Sequence, residues 1–411
     1  MRTMKDSGID WIGQIPEDWS VLPTKRFFRS AKTLAGEYVD SYERLALTMN
    51  GVIKRSKGDS EGLQPEKFDT YQVLKENELV FKLIDLANVK TSRVGLSPYT
   101  GIVSPAYIVL TNSQKDNRFF YYYFLSMYYN EIFNHLGDNG VRSSLNAQDL
   151  LSVPMVNIPT KLQTRIADYL DNKCGKIDRY IEKQQQIIEK LKEYKQAVIT
   201  ETTVPKKGWS KCHLGYIASF KNGLNYNGLA TDCEIRFLGV GDFKDNFMLS
   251  KENDFSTLKF DGTMPEDLLL QDNDIVFVRS NGSKELVGRS VILKNINFQL
   301  TYSGFCIRMR NHRKDILSNE YLMYCFWSTA FRQYLNRDSR GSNINNLNQE
   351  LLSKYTIHFP DISEQYKIAE YLSKKITDID ETVKQYESLI QKAIEYKKSL
   401  IYEAVTGKLE V

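Results

Sequence analysis

The residues best suited to chemistry in this chain are hydrogen-bond donors on short polar segments. Lys90-Thr-Ser92-Arg93 and Arg279-Ser-Asn281-Gly-Ser283-Lys284, with Arg289 just beyond, stand beside strand-like sequence. Arg and Lys donate paired hydrogen bonds to guanine, and Asn pairs with adenine, at base edges in the major groove. Two further loops, 138–144 with Arg142 and Ser143, and 340–345 with Arg340, Ser342 and Asn343, combine small residues with donors. Such loops let backbone approach phosphate, and they also describe ordinary solvated turns. The chemistry on offer is nucleic-acid reading rather than bond making.

Catalytic patterns are missing where they would be expected. Gly282-Ser-Lys-Glu-Leu-Val-Gly288-Arg-Ser separates its glycines by five residues and carries Arg where a phosphate loop requires Lys. Gly239-Val-Gly241 lacks the third glycine of a dinucleotide fingerprint. The histidines His135, His213, His312 and His358 are scattered, with no H-E-x-x-H. No Asn-Pro-Pro-Tyr type motif, helicase signature or nuclease signature is present. The sequence therefore predicts no catalytic residue, no metal and no cofactor of its own.

What must position those donors follows from length and pattern. A chain of 411 residues suits two domains plus connecting elements, and 42% hydrophobic with 26% charged residues describes a folding chain. Net charge is 55 − 51 = +4, so any DNA-binding surface must be local. The apolar run 119–129 is about half the length needed to cross a bilayer, which argues against a membrane span. The N-terminus lacks a signal-peptide core, and the five cysteines (Cys174, Cys212, Cys233, Cys306, Cys325) contain no C-x-x-C pair. The expectation is a reduced, cytoplasmic protein.

The chain repeats itself. Ile166-Ala-Asp-Tyr-Leu170 aligns with Ile368-Ala-Glu-Tyr-Leu372, an offset of 368 − 166 = 202. Residues 163–203 give about 15 identities in about 41 positions, where unrelated segments give roughly two or three. The preceding stretches repeat more loosely. Pro16 and Trp19 recur as Pro205 and Trp209, 77–81 recurs as 273–277, and Leu145-Asn146 as Leu347-Asn348. Prolines 154, 159, 205 and 360 punctuate the joints. The predicted order is a globular domain 1–155, a helical region 156–203, a globular domain 204–358 and a helical region 359–411.

Each helical region carries a heptad stripe with steps of four and three. The first runs Leu170, Cys174, Ile177, Ile181, Gln184, Ile188, Leu191, Lys195, Val198. The second runs Leu372, Ile376, Ile379, Val383, Tyr386, Ile390, Ala393, Lys397, Leu400. Matching stripes make each helix the natural partner of the other, antiparallel and related by a pseudo-two-fold axis. Lys195 and Lys397 on this seam mark either a splayed, partner-facing end or lysines whose heads reach solvent. About 37 helical residues span roughly 55 Å, enough to hold two readers one to one and a half duplex turns apart. The helices alone equally describe a coiled-coil scaffold or dimerisation protein.

Both globular domains read as α/β with strand-rich centres, so the fold class is α+β overall. The segments 274–278 and 289–293 have strand composition. The aromatic amphipathic segments 117–133 and 319–335 are expected to be core helices rather than base-stacking platforms.

The opening Trp11-Ile-Gly-Gln-Ile-Pro16-Glu-Asp-Trp19, the Gln163-x-x-Ile166-Ala-x-Tyr-Leu170 helix start and the closing Glu403-Ala-Val-Thr-Gly-Lys408 resemble the specificity subunits of Type I restriction-modification systems. The resemblance covers essentially the whole chain. It implies two target-recognition domains, each reading half of a bipartite double-stranded DNA site, with helices that set the spacer. It further implies docking of two methyltransferase subunits, and of restriction/translocase subunits in the complete enzyme. The chemistry, including the S-adenosylmethionine and ATP it consumes, would belong to those partners. A related Type II enzyme with fused methyltransferase and nuclease is an alternative setting. The resemblance supplies no base contacts, so the donors named above stand as a physical reading.

Overall fold

A computed structural model describes the whole chain except residues 1, 31, 50, 60–67, 85, 87–92, 137–143, 226–232, 245, 261, 284 and 338–345, and the side chain of Cys233. It divides into two compact units, Met1–Gln184 with Glu387–Val411, and Gln185–Tyr386. Helices α1 (Arg118–Tyr129) and α2 (Ala147–Ser152) lie in the first, and α3 (Thr160–Thr203) runs on from it. Helices α4 (Asn319–Trp327), α5 (Thr329–Arg337) and α6 (Gln349–Lys354) lie in the second, followed by α7 (Ile362–Val405). No helix among the described residues is long and apolar enough to cross a membrane.

The two units are built on one plan. In the first, a sheet orders its strands Arg29–Ser30, Ile108–Thr111, Leu79–Phe81, Val94–Leu96; in the second the order is Ala218–Asn222, Cys306–Asn311, Ile275–Val278, Ser290–Lys294, then Met248–Ser250. Each sheet faces an aromatic helix, and equivalent rings meet edge to face at 4.9 Å, Phe81 with Phe124 and Phe277 with Phe326. A second sheet repeats too. Arg44–Thr48 pairs antiparallel with Gly51–Arg55 and parallel with Gly101–Val103, as Cys233–Leu238 does with Ser256–Phe260 and Leu300–Tyr302.

The repeated asparagines have a local cause. Asn77 and Asn273 hold φ of 65° and 70° at the turn into their strands, where Asn is among the few side chains that tolerate left-handed backbone. Their carbonyls accept from Nδ2 of Asn117 and Asn319, both at 2.7 Å. Turn and helix start are thereby tied together by the same pair in each unit.

Helices α3 and α7 are 44 residues each, about 66 Å at 1.5 Å per residue. A buried glutamine anchors each start. Gln163 donates to Ile158 O at 3.0 Å. Gln365 donates to Pro360 O and Ile316 O, both at 2.9 Å, and accepts from Ser318 N at 2.9 Å. In the first unit Leu170 and Cys174 share a core with Leu400, Ile401, Ala404 and Val405. In the second, Val198 and Ile199 share one with Ile368, Ala369, Leu372 and Ile376. The start of each helix thus packs antiparallel on the end of the other. Along the seam Leu170, Ile188, Val198, Leu372, Ile379 and Leu400 are buried, and Ile177, Ile181, Leu191, Val383 and Ile390 half-buried.

The seam lysines, left open between two readings by the sequence, are ion-paired. Lys195 Nζ lies 2.7 and 2.8 Å from the two carboxylate oxygens of Asp380, and Lys397 Nζ 2.6 and 2.8 Å from those of Asp178. The members are related by the repeat, since 178 + 202 = 380 and 195 + 202 = 397. The lysines are under one-fifth exposed but the aspartates about half, so solvent screens each pair and its worth is about 1 kcal/mol or less. Asp380→Lys is expected to cost somewhat more than that by setting like charges together, and the swap Lys195→Asp with Asp380→Lys to recover most of it. Chemical denaturation of the four proteins in a double-mutant cycle measures the coupling; a value of zero refutes the pairing.

The first unit is closed by the chain's two ends. Gly407, at φ +75°, follows the end of α7, and the amides of Lys408 and Leu409 return to Glu403 O at 2.9 and 3.1 Å. Lys408 Nζ and Tyr402 OH donate to Ile12 O at 2.8 and 3.1 Å. A Cβ at Gly407 would fall 2.6 Å from Pro16 and 2.8 Å from the ring of Trp19. The opening and closing sequence signatures are two sides of this contact.

Candidate nucleic-acid interface

Lys90, Ser92, Arg142, Ser143, Lys284, Arg340, Ser342 and Asn343 lie outside the described residues. Arg93, Arg279, Asn281, Ser283 and Arg289 are described.

Arg93 and Arg289 occupy one position in the repeated plan. Each precedes the strand that pairs with Leu79–Phe81 or with Ile275–Val278, and each carbonyl accepts across that ladder, from Lys82 N at 3.0 Å and from Val278 N at 2.8 Å. Their side chains differ in setting. Arg93 is 3% exposed, with its guanidinium 5.9 Å from the ring centre of Tyr128. Arg289 is half-exposed and donates to Lys244 O. Of the two, Arg289 has the side chain within reach of a ligand.

Beside Arg289 stands a second arginine that the sequence did not single out. Arg332 of α5 donates to Val287 O at 2.6 Å and Glu285 O at 3.2 Å. Burial, and then the neighbouring charge of Arg289, pull its pKa below the usual arginine value. Both line a cavity of about 360 Å³ with Ser290, Ser328, Thr329 and Gln196. Nothing in the local sequence links residues 289 and 332; the fold alone brings them together.

Arg279 leaves the end of Ile275–Val278, its amide donating to Phe305 O at 2.7 Å and its carbonyl accepting from Leu347 N at 2.8 Å. One guanidinium N–H is spent on Gly304 O at 3.2 Å, which aims the group while leaving other donors of the five available. Asn281 accepts from Ser283 N at 2.8 Å. That local turn occupies one lone pair of the amide oxygen, and the residue is half-exposed. Ser283 is exposed. The second unit therefore displays Arg279, Asn281 and Ser283 together on one strand end, a set of donors suited to base edges or phosphate.

Residues 206–391 match the family model described as Type I restriction modification DNA specificity domain. The Type I restriction enzyme EcoKI specificity subunit of Escherichia coli (strain K12) is 26% identical over 213 residues, 49% of this chain and 44% of that protein. The Type I restriction enzyme StySPI specificity subunit of Salmonella potsdam is 25% identical over 213 residues, with the same shares. The match thus spans under half the length of either curated relative. A solved structure described as "Structural basis underlying complex assembly and conformational transition of the type I R-M system" superposes with a TM-score of 0.72 at 12% identity, covering 96% of this chain and 99% of that one. At that identity the likeness speaks for the fold.

Proposed function

From a chain that carries a Type I restriction-modification DNA specificity domain over residues 206–391, within a fold shared along nearly its whole length with a chain of a Type I system, we infer that this protein is the DNA-recognition subunit of such a system. It is a reader without catalysis of its own. The observation that carries this is the duplicated plan: two units with the same sheet, the same helix and the same tying asparagines, differing in the polar residues at their strand ends. Globular domains 1–155 and 204–358 each read one half of a bipartite duplex site. The helical regions 156–203 and 359–411 set the unread spacer and offer their outer faces to two methyltransferase subunits, with restriction subunits joining the complete cytoplasmic enzyme.

Contacts to DNA are assigned to Arg279, Asn281, Ser283 and Arg289 in the second domain, with Lys284, Arg340, Ser342 and Asn343, and to Lys90, Ser92, Arg142 and Ser143 in the first; Arg93, buried against Tyr128, is left out. Methylation and cleavage belong to the partner subunits.

Selection from a random duplex library, with the methyltransferase present, tests the reading. Two short preferred half-sites around a fixed unread spacer, bound with steep salt dependence, are expected. Uniform binding to any sequence overturns it. Within the selected site, Arg279→Ala is expected to weaken binding about tenfold or more and to relax preference at one base pair, from the worth of a paired arginine contact. Measured Kd values on the site and its single-base variants decide this; an equal loss on every variant would make Arg279 a phosphate contact instead.

A further inference from the structure

The turn that feeds the second strand in the order of each recognition sheet, Ile108–Thr111 or Cys306–Asn311, is the same in both units. In the first, Ala106 N donates to Ser104 Oγ at 3.3 Å and Tyr107 N to Ser104 O at 3.1 Å. In the second, Phe305 N donates to Ser303 Oγ at 3.2 Å and Cys306 N to Ser303 O at 2.8 Å. The ladders fix the correspondence. Leu110 lies opposite Leu79 and Met309 opposite Ile275, and Leu79 and Ile275 are themselves repeat equivalents. Since 110 − 106 = 309 − 305 = 4, Ala106 and Phe305 hold one place in one frame.

That place is the exposed tip. Phe305 is 62% exposed although its backbone is held on every side. Its carbonyl accepts from Arg279 N at 2.7 Å, and Gly304 N donates to Leu224 O at 2.7 Å. A Cβ at Gly304 would overlap Asn225 Oδ1, so glycine lets these two loops interlock. A large ring fixed in water contributes little to folding, and the first unit makes the same turn with a methyl group. The ring therefore serves something outside the fold. Its neighbours are Arg279, whose guanidinium bonds the same turn at Gly304 O, and, two residues on, Asn281.

We propose that Phe305 is a base-reading residue of the second unit, its ring making apolar contact with the 5-methyl group of a thymine beside the base pair that Arg279 addresses. Apolar side chains recognise that methyl in the major groove, where it sets thymine apart from the other bases. Ala106 leaves the equivalent place in the first unit nearly empty, so the two units differ here in what they accept. This rests on the DNA-reading function proposed above and adds a residue and a chemical group to it.

The test uses the full chain with its methyltransferase on the selected duplex. Each thymine is replaced in turn by uracil, which removes only the methyl. Wild-type protein is expected to lose about fourfold in affinity at one thymine of the half-site read by the second unit, the worth of one buried carbon. Phe305→Ala, which copies the first unit's turn, is expected to bind the unmodified site about tenfold more weakly and to lose its preference for thymine over uracil there. Phe305→Leu should keep part of that preference. Thermal unfolding of the variants should match wild type, because the ring is exposed. Wild-type protein indifferent to every uracil, or Phe305→Ala with an unchanged uracil profile, overturns the proposal. Failure of wild-type protein to select any bipartite site overturns the DNA reading itself.

Discussion

Gly407→Val lowers the stability of the first unit by about 2–5 kcal/mol: a left-handed backbone costs a side-chain-bearing residue roughly 1–2 kcal/mol, and forcing atoms into packed surroundings adds roughly 1–3. The atoms in the way are the rings of Pro16 and Trp19, and both are constrained. Pro16 lies in the strand Gln14–Pro16, paired with Met4–Asp6, and Trp19 is buried. For a unit of about two hundred residues this corresponds to a fall in Tm of roughly 4–20 °C. Trp11 and Trp19 sit in the affected unit and Trp209 and Trp327 in the other, so tryptophan substitution separates the two signals. The first unit's transition moves and the second's stays. A first transition left where it was would mean that the chain's ends do not close that unit.

The second large effect is on the site rather than on stability. Seven residues inserted between Gln184 and Gln185, and seven between Tyr386 and Glu387, enter both helices at the places where the compact units divide, so each unit keeps its own contacts, including its Lys–Asp pair. Two added turns of each helix lengthen it by about 10 Å, roughly three base pairs of duplex. The selected site is expected to keep both half-sites and gain about three unread base pairs, and affinity for the original site to fall at least a hundredfold. Library selection with the variant reads this directly. An unchanged spacer would sink the idea that the helices measure it.

Both predictions draw on features of different visibility in the sequence. The long helices and their seam were legible because a heptad stripe is local and repeats: Leu170, Ile188 and Val198, with Leu372, Ile379 and Leu400, are buried where the pattern put them. The ion pairs were half legible. Lys195 and Lys397 were conspicuous on an apolar seam, and Asp178 and Asp380 recurred in the same alignment, but which acid faces which lysine follows from the antiparallel register and only packing sets that. The residues proposed to read bases were the least legible. Arg93 and Arg289 look alike in sequence, yet Tyr128, contributed by a helix some thirty residues on, covers one and not the other. Phe305 passed unremarked because exposure is a property of the turn and not of the residue type. Arg332 reaches Arg289 only through the fold.

Because the first unit is completed by residues 387–411, it cannot finish folding until those residues have been made. Ile166, Ala167, Leu170 and Cys174 emerge from the ribosome some two hundred residues ahead of Leu400, Ile401, Ala404 and Val405, which cover them. At about 5–20 residues per second, that apolar stripe waits roughly 10–40 seconds for its partner. The second unit draws its covering strip from the segment that follows it directly, so the domain synthesised first is the one completed last. A nascent chain of this design needs its waiting stripe shielded, and a message that slows the ribosome in the second half prolongs the exposure of the first.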